Sequence, residues 1–180
     1  MSTGSLSLDT TRLGRRSPWY DEIADLLEHE ASLLDRREHL DWLELLHPEI
    51  TYRCGVRITA LLSDGDGHIG KTFHFDETKS SLTLRVQRLA TGSAWAEDPP
   101  SRVRRFVTSI RVASGCDGEQ IDVSSNLLLT RVRLDWSAPD LLIGERHDTW
   151  CRQHGRLLLR RREVNLDQTT LATENLSFFL

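Results

Sequence analysis

Cysteine is scarce in this 180-residue chain: Cys54, Cys116 and Cys151 are odd in number, far apart and include no C-x-x-C pair. The pattern suggests neither a disulfide framework nor a zinc knuckle, and it fits a reducing cytoplasm. No cysteine stands two residues before a histidine, so the paired C-x-H ligands of a Rieske cluster are missing and that centre is excluded here. Long apolar runs are absent as well, which excludes a bilayer-crossing helix. After Arg15-Arg16, acids follow where an export signal would carry its apolar stretch. There is no excess of positive charge: the net charge of −4 argues against a nucleic-acid protein, because phosphate binding needs a concentrated basic footprint. G-x-S-x-G is missing, and Gly65-Asp66-Gly67 lacks the strand and Lys-Ser/Thr context of a phosphate loop.

What is present is an ordered composition: 38% hydrophobic residues, charge of both signs and five tryptophans. The length suits one core. Residues 1–17, rich in Ser, Thr and Gly, read as a flexible tail, and 18–180 as a single domain. Ser17-Pro18 opens a helix in which Ile23, Leu26, Leu27, Glu30, Ala31 and Leu34 form one stripe. Asp35 caps a second, short helix with Leu40, Trp42, Leu43 and Leu46 on its apolar side, ended by His47-Pro48. The segment 49–62 alternates as a strand, 63–70 is a turn-rich loop, and Asp76 caps a third helix carrying Leu82, Val86 and Leu89.

Period two then takes over. Phe106, Thr108, Ile110 and Val112 share a face of one strand, and Ile121, Val123, Ser125, Leu127 and Leu129 share a face of the next. Leu141, Ile143 and Thr149 fall on one side of a third strand, and Leu157 and Leu159 start a fourth. Turns are expected at Gly115–Gly118, at Ala138-Pro139-Asp140 and at His154-Gly155. The order predicts an α+β fold, a curved antiparallel sheet wrapped around about three helices. The apolar ending NLSFFL is expected to dock on the core or on a neighbouring subunit. The arginine clusters (Arg102, Arg104, Arg105, Arg111; Arg156, Arg160, Arg161, Arg162) lie on these strands and read as a solvated or partner-facing strand face.

Chemistry is hard to find in this pattern. His74-Phe75-Asp76 with His147 or His154 downstream could furnish two histidines and a carboxylate for mononuclear iron, but Asp76 already has a capping role. A stand-alone dehydratase or isomerase, or a small-ligand-binding module, would need a convergent pair from Tyr20, Tyr52, His47, Asp148 and Glu163. Nothing in the spacing brings any two of them together.

Five ordered blocks carry a resemblance: HEASLLDRREHLDWLELL, FDETKSSLTLRVQRLATGSAWAEDPPSRVRRFVTSIRV, SSNLLLTRVRL, GERHDTWCR and VNLDQTTLATENLSFFL. Together they resemble the small (beta) subunit of bacterial aromatic-ring-hydroxylating dioxygenases, from about Tyr20 to Leu180. The resemblance implies a cone like that of nuclear transport factor 2 and ketosteroid isomerase, and a non-catalytic assembly role. It implies a large (alpha) partner subunit in a complex of three of each, with no cofactor in this chain. The Rieske [2Fe-2S] cluster and the mononuclear iron belong to the large subunit, and a reductase, often with a ferredoxin, supplies electrons for cis-dihydroxylation of an aromatic compound. The family commonly reads Ser-Arg-Thr-Arg-His where this chain has Val103 and Arg105 in place of the Thr and His, and it has Asn at the position of Ser109. Subunit contacts are expected from Trp95, Glu97, Asp98, Arg102, Arg104, Arg146 and Asp148, which lie in or beside the most family-like segments.

Overall fold

The computed structural model describes residues 12–13, 18–59, 72–91, 99–114, 119–134, 137–171, 173 and 175–180. Helix α1 runs over Pro18–Asp35. Its stripe is buried as the 3.6-residue period requires, with Ile23, Leu27 and Leu34 inside, and Glu30 fully buried among them.

The next helix is shorter than expected. α2 covers His39–Leu43, and strand β2 begins at Leu46 and runs to Gly55, so His47-Pro48 lies inside a strand and does not end the helix. Leu40, expected inward, is 68% exposed, while Trp42, Leu43, Leu45 and Leu46 are buried. Pro48 has no N–H to give a ladder, and the β2 pairing is irregular between Leu46 and Thr51.

β3 spans Phe73–Thr78 and α3 Lys79–Ala90. The helix cap is Thr78, not Asp76: Thr78 is extended and its N–H donates to Ser81 Oγ at 2.9 Å, while Asp76 stays in β3 and accepts from Arg53. α3 buries Leu82 and Val86 and half-buries Leu89, as its spacing predicts.

Four long strands follow: β4 (Arg102–Ser114), β5 (Gln120–Val132), β6 (Asp140–Gln153) and β7 (Arg156–Leu166). Inside the segment expected as a tail, Arg12–Leu13 forms a short strand, β1, against Val112 and Ala113. The sheet order is β1-β4-β5-β6-β7-β2-β3. All neighbours are antiparallel except β2 and β7, which run parallel from Thr51↔Arg161 to Gly55↔Asn165. The helices cover the inner face, with α1 against β4 and α3 against β2 and β3. The turn loops expected at 63–70 and at Gly115–Gly118 lie outside the described residues.

Two strands depart from simple alternation. In β4 the ladder shifts between Thr108 and Arg111, and Ser109 adopts φ 54. This bulge changes the parity. Val103, Arg105 and Val107 turn inward before it and Ile110 and Val112 after it, so Phe106 and Thr108 face outward instead of sharing a face with Val112. In β6 the face of Leu141, Ile143 and Thr149 is the outer one, and Leu142, Gly144, Arg146, Asp148 and Trp150 point inward. Gly144 has a steric reason: a Cβ there would strike the Asn165 carbonyl oxygen and come within 2.9 Å of Leu166 Cα. β5 follows its alternation throughout, burying Ile121, Val123, Ser125, Leu127 and Leu129.

Candidate functional site

The inner face of the sheet brings charged groups together in the middle of the cone. Arg162 on β7 is fully buried and holds two carboxylates at once. Its Nε and Nη2 donate to Asp148 on β6 at 2.8 and 2.7 Å, and its Nη1 and Nη2 donate to Glu30 on α1 at 2.7 and 2.8 Å. Arg146 lies 3.6 Å from Glu30, and Trp42 Nε1 donates to Glu30 at 3.1 Å. Two cations and two anions thus gather around Glu30 in the second half of α1, with Arg146 Nη2 left without a hydrogen-bond partner.

Burial alone would raise the Glu30 carboxyl. The charges of Arg162 and Arg146, with hydrogen bonds from Arg162 and Trp42, outweigh it and lower the pKa from 4.5 to about 2. Burial likewise opposes the Arg162 cation, but Asp148 and Glu30 raise its pKa well above the ordinary value. Fixed charges of this kind hold one arrangement in place; a general acid or base needs a proton it can exchange.

The last residues of the sequence fill the rest of the interior. Phe178, Phe179 and Leu180 are buried, and Phe179 packs on Trp42 at a ring separation of 4.4 Å. Tyr52 donates its hydroxyl proton to the Leu180 backbone oxygen at 2.6 Å and accepts the Leu180 N–H at 2.7 Å. Burial, the largest influence on Tyr52, raises its pKa, so this hydroxyl stays protonated.

Residues 175–180 have no sheet partner, yet buried carbonyls need donors. Four arginines from four elements supply them. Arg85 on α3 reaches Leu176 and Phe178, Arg105 on β4 reaches Phe179, Arg131 on β5 reaches Asn175, and Arg162 reaches Leu180. Each is also matched by a carboxylate of the body: Glu77, Asp35, Asp140 and the Glu30–Asp148 pair. Arg85, Arg105 and Arg162 are therefore cations hydrogen-bonded to an acid and aimed at a backbone oxygen, each such charge-assisted bond worth roughly 1.5–3 kcal/mol, whereas Arg131 holds Asn175 more loosely at 3.5 Å and is fixed by Ser101 and Thr173.

A half-open cavity of about 550 Å³ remains at the mouth, lined by residues that include His39, Leu40, Leu89, Ser101 and Phe178. The carboxylate at its wall, Asp35, accepts from both the backbone N–H and the guanidinium of Arg105 at 3.2 and 2.6 Å, which leaves it in a structural pairing.

The groups weighed for acid-base chemistry separate into two sets. Tyr52 and Asp148 do converge on Arg162, which the spacing did not reveal, but both are committed to Leu180 and Arg162. His47 Nδ1 accepts the Glu49 N–H, Glu163 pairs with Arg161 on the outer face, and Tyr20 is half-buried on α1. His147 and Asp76 sit three strands apart through Glu163 and Arg53, about 14 Å at ordinary strand spacing, so they cannot share an ion. Among the described residues no group of three or more His, Cys, Asp or Glu is placed to hold a metal, and the side chains present do not fit an iron site or a Rieske cluster. Burial pushes the Cys54 thiol up to about 12, which suppresses the thiolate a nucleophile needs.

Of the seven expected contact residues, Arg146 and Asp148 are corrected. They are 1% and 3% exposed and belong to the interior ion set, because β6 turns its charged residues inward. Arg105 and Arg162 likewise leave the arginine clusters expected on a solvated or partner-facing strand face. Arg102 and Arg104 are exposed on β4. Trp95, Glu97 and Asp98 lie outside the described residues. Glu30 stands inside as its place in the α1 stripe predicted, whereas sequence reasoning missed Arg85, Arg105, Arg131 and Arg162 as interior groups.

Comparison with known proteins agrees with this architecture. The profile of the family described as "Ring hydroxylating beta subunit" matches residues 29–173. The beta subunit of N,N-dimethyl phenylurea N-demethylase from Sphingobium sp. (strain YBL2) is 36% identical over 155 residues, covering 86% of this chain and 87% of that protein. The beta subunit of 3-phenylpropionate/cinnamic acid dioxygenase from Photorhabdus laumondii subsp. laumondii is 36% identical over 160 residues, covering 87% and 88%. Among solved structures, naphthalene 1,2-dioxygenase with indole bound in its active site superposes with a TM-score of 0.80 at 29% identity, covering 89% of this chain and 84% of that one. No described helix is long and apolar enough to cross a membrane. With a profile match across most of its length and these relatives alongside, the chain belongs to the family of ring-hydroxylating oxygenase beta subunits.

Proposed function

We propose that this chain, with 18–180 as its folded domain, is the non-catalytic assembly subunit of a cytoplasmic multicomponent oxygenase, and that three copies join three large (alpha) subunits. The large subunits carry the Rieske [2Fe-2S] cluster and the mononuclear iron, receive electrons from a reductase, directly or through a ferredoxin, and cis-dihydroxylate an aromatic compound. An aromatic substrate is supported by the relatives named for phenylureas, phenylpropionate and naphthalene. One relative is named for N-demethylation, so a similar beta subunit also serves an enzyme named for a different reaction.

The observation that carries the assembly role is the occupied centre of the cone, beside a half-open cavity whose wall carboxylate, Asp35, is already paired with Arg105. Where a free-standing enzyme of this shape would need an open pocket with a convergent polar pair, this chain places Phe179, Leu180 and a neutralised ion set. The fixed interior makes the domain a stiff body, suited to holding large subunits in register. Native mass spectrometry of the chain co-expressed with its large subunit tests this: a complex of three plus three is expected. A large subunit that reached the same assembly and full activity without this chain would overturn the role.

A further inference from the structure

Residues 175–180 are bound to the rest of the chain as a ligand is bound. After β7 the backbone makes one more bond to the sheet, from the Asp167 N–H to the Ile143 carbonyl, and Gln168 adds side-chain bonds to Leu141 and Ile143. Beyond that anchor, among the described residues, every hydrogen bond between 175–180 and the body is made by a side chain of the body: Arg85, Arg105, Arg131, Arg162 and Tyr52. Ring contacts add to these, with Phe179 against Trp42, His39 and Arg85, and Phe178 against Arg131. Departure of the six residues breaks no ladder. A core strand shows the opposite pattern: β5 is laddered to both β4 and β6 and cannot leave without unfolding the sheet.

The receiving surface is fixed without the segment. Arg85 is held by Glu77, Arg105 by Asp35, Arg131 by Ser101, and Arg162 by Glu30 and Asp148, all of them pairs within the body. Tyr52 stacks on Phe75 at a ring separation of 5.3 Å and meets Trp42 edge-on at 6.3 Å. Donors and rings oriented by their own neighbours keep a site's shape when its occupant leaves. The half-open cavity of about 550 Å³ touches Ser177, Phe178 and Phe179, so the segment borders open space on one side and has a way out that leaves the sheet closed.

We propose that the centre of the cone is a preformed receptor for an extended peptide with aromatic side chains, and that residues 175–180 are its built-in ligand, a strap whose docking is a step separate from folding of the sheet. The guanidinium groups recognise backbone oxygens, which any extended peptide offers. Selectivity comes from the wall of Trp42, His39 and Arg85, which receives the ring at position 179. Attachment to the same chain gives the strap an effective concentration on the order of millimolar, so the docked state dominates and the open state is a brief local excursion. The inference stands on the interior alone and is independent of the assembly role.

Amide hydrogen exchange of the full chain in increasing urea, followed by NMR, tests the strap. The Leu180 N–H, bonded to the Tyr52 hydroxyl, should exchange about 10-fold or more faster than the protected amides of β5 and with little dependence on urea, as local opening does. A synthetic peptide with the sequence of residues 175–180, Asn-Leu-Ser-Phe-Phe-Leu, tests the receptor. Phe179→Ala weakens the chain's own strap, so this variant should bind the peptide about 10-fold or more tightly than the wild type, whose strap competes, as read from tryptophan fluorescence and a raised Tm. The same peptide with alanine in place of both phenylalanines should bind neither protein. Exchange of Leu180 in step with β5 at every urea concentration would overturn the proposal. So would a folded Phe179→Ala protein that ignores the peptide or binds the alanine version equally well. The wild-type exchange needs no variant and decides alone where Phe179→Ala does not fold.

Discussion

Replacing Arg162 by methionine removes the cation on which the interior converges, while keeping an unbranched apolar stem in its place. Four hydrogen bonds to Glu30 and Asp148 are lost together, and a fifth to the Leu180 backbone goes with them. Glu30 keeps Arg146 at 3.6 Å and Trp42 at 3.1 Å, but Asp148 loses both guanidinium bonds. Breaking a buried pair by removing one partner costs roughly 3–5 kcal/mol. The proton equilibrium gives a figure of the same order, shared among Arg162, Arg146 and Trp42: a carboxyl lowered from 4.5 to about 2 holds about 3 kcal/mol of stability at neutral pH. For a domain of this size the two agree on a Tm lowered by roughly 6–20 °C.

The pH dependence separates this mechanism from loss of packing. In the wild type the folded pKa of Glu30 lies below its unfolded value, so its contribution is complete above 4.5 and is lost as pH falls toward about 2. Without Arg162 two of the four lowering influences are gone, and burial is opposed only by Arg146 and Trp42, so the Glu30 pKa rises from about 2 and its contribution at neutral pH shrinks. The gap between the two proteins should therefore be widest near neutrality and shrink as pH falls from 4.5 toward about 2, as read from urea unfolding at neutral pH and at about pH 3. A gap of the same size at both, or a loss below about 1 kcal/mol at neutral pH, would refute the reasoning.

Tyr52→Phe removes both hydrogen bonds to Leu180 and should cost about 1–3 kcal/mol in chemical denaturation, with faster carboxypeptidase trimming of the last residues. Ser109→Asn should stabilise by about 0.5 kcal/mol in thermal melts, since φ 54 at the β4 bulge suits Asn better than Ser. Gly144→Ala should lose about 2 kcal/mol or more, because the new methyl meets backbone atoms of β7 that cannot swing aside. Cys54 should react with a thiol reagent no faster than the chain unfolds, with pulse-labelling mass spectrometry as the readout.

Several elements were legible because local period and burial coincide. α1 announced itself through Ile23, Leu27 and Leu34, and β5 through an unbroken alternation from Ile121 to Leu129. The α2–β2 junction was not legible, since Trp42, Leu43, Leu45 and Leu46 are apolar on every side and suit either element. β4 misled because the bulge at Ser109 reverses its parity, and β6 because its inward face holds Gly144, Arg146 and Asp148 while Leu141 and Ile143 face out. The parallel pairing of β2 with β7 joins residues about 110 positions apart and leaves no local trace. The interior site was hidden for a related reason. Sequence reports that an arginine or an aspartate is present, but the side of the strand it takes depends on bulges, so Arg146 and Asp148 were expected at a subunit boundary and stand inside. The apolar ending, by contrast, did foretell a docked segment, and it docks on the core of its own chain.

Reconstitution tests the central claim most directly: the isolated chain, the isolated large subunit and the pair are each supplied with reductase, reduced nicotinamide and an aromatic substrate, and turnover and iron content are measured. The account predicts neither turnover nor stoichiometric iron in this chain alone, iron that follows the large subunit, and full activity in the assembled pair. Stoichiometric iron or substrate oxidation by this chain without the large subunit would contradict it.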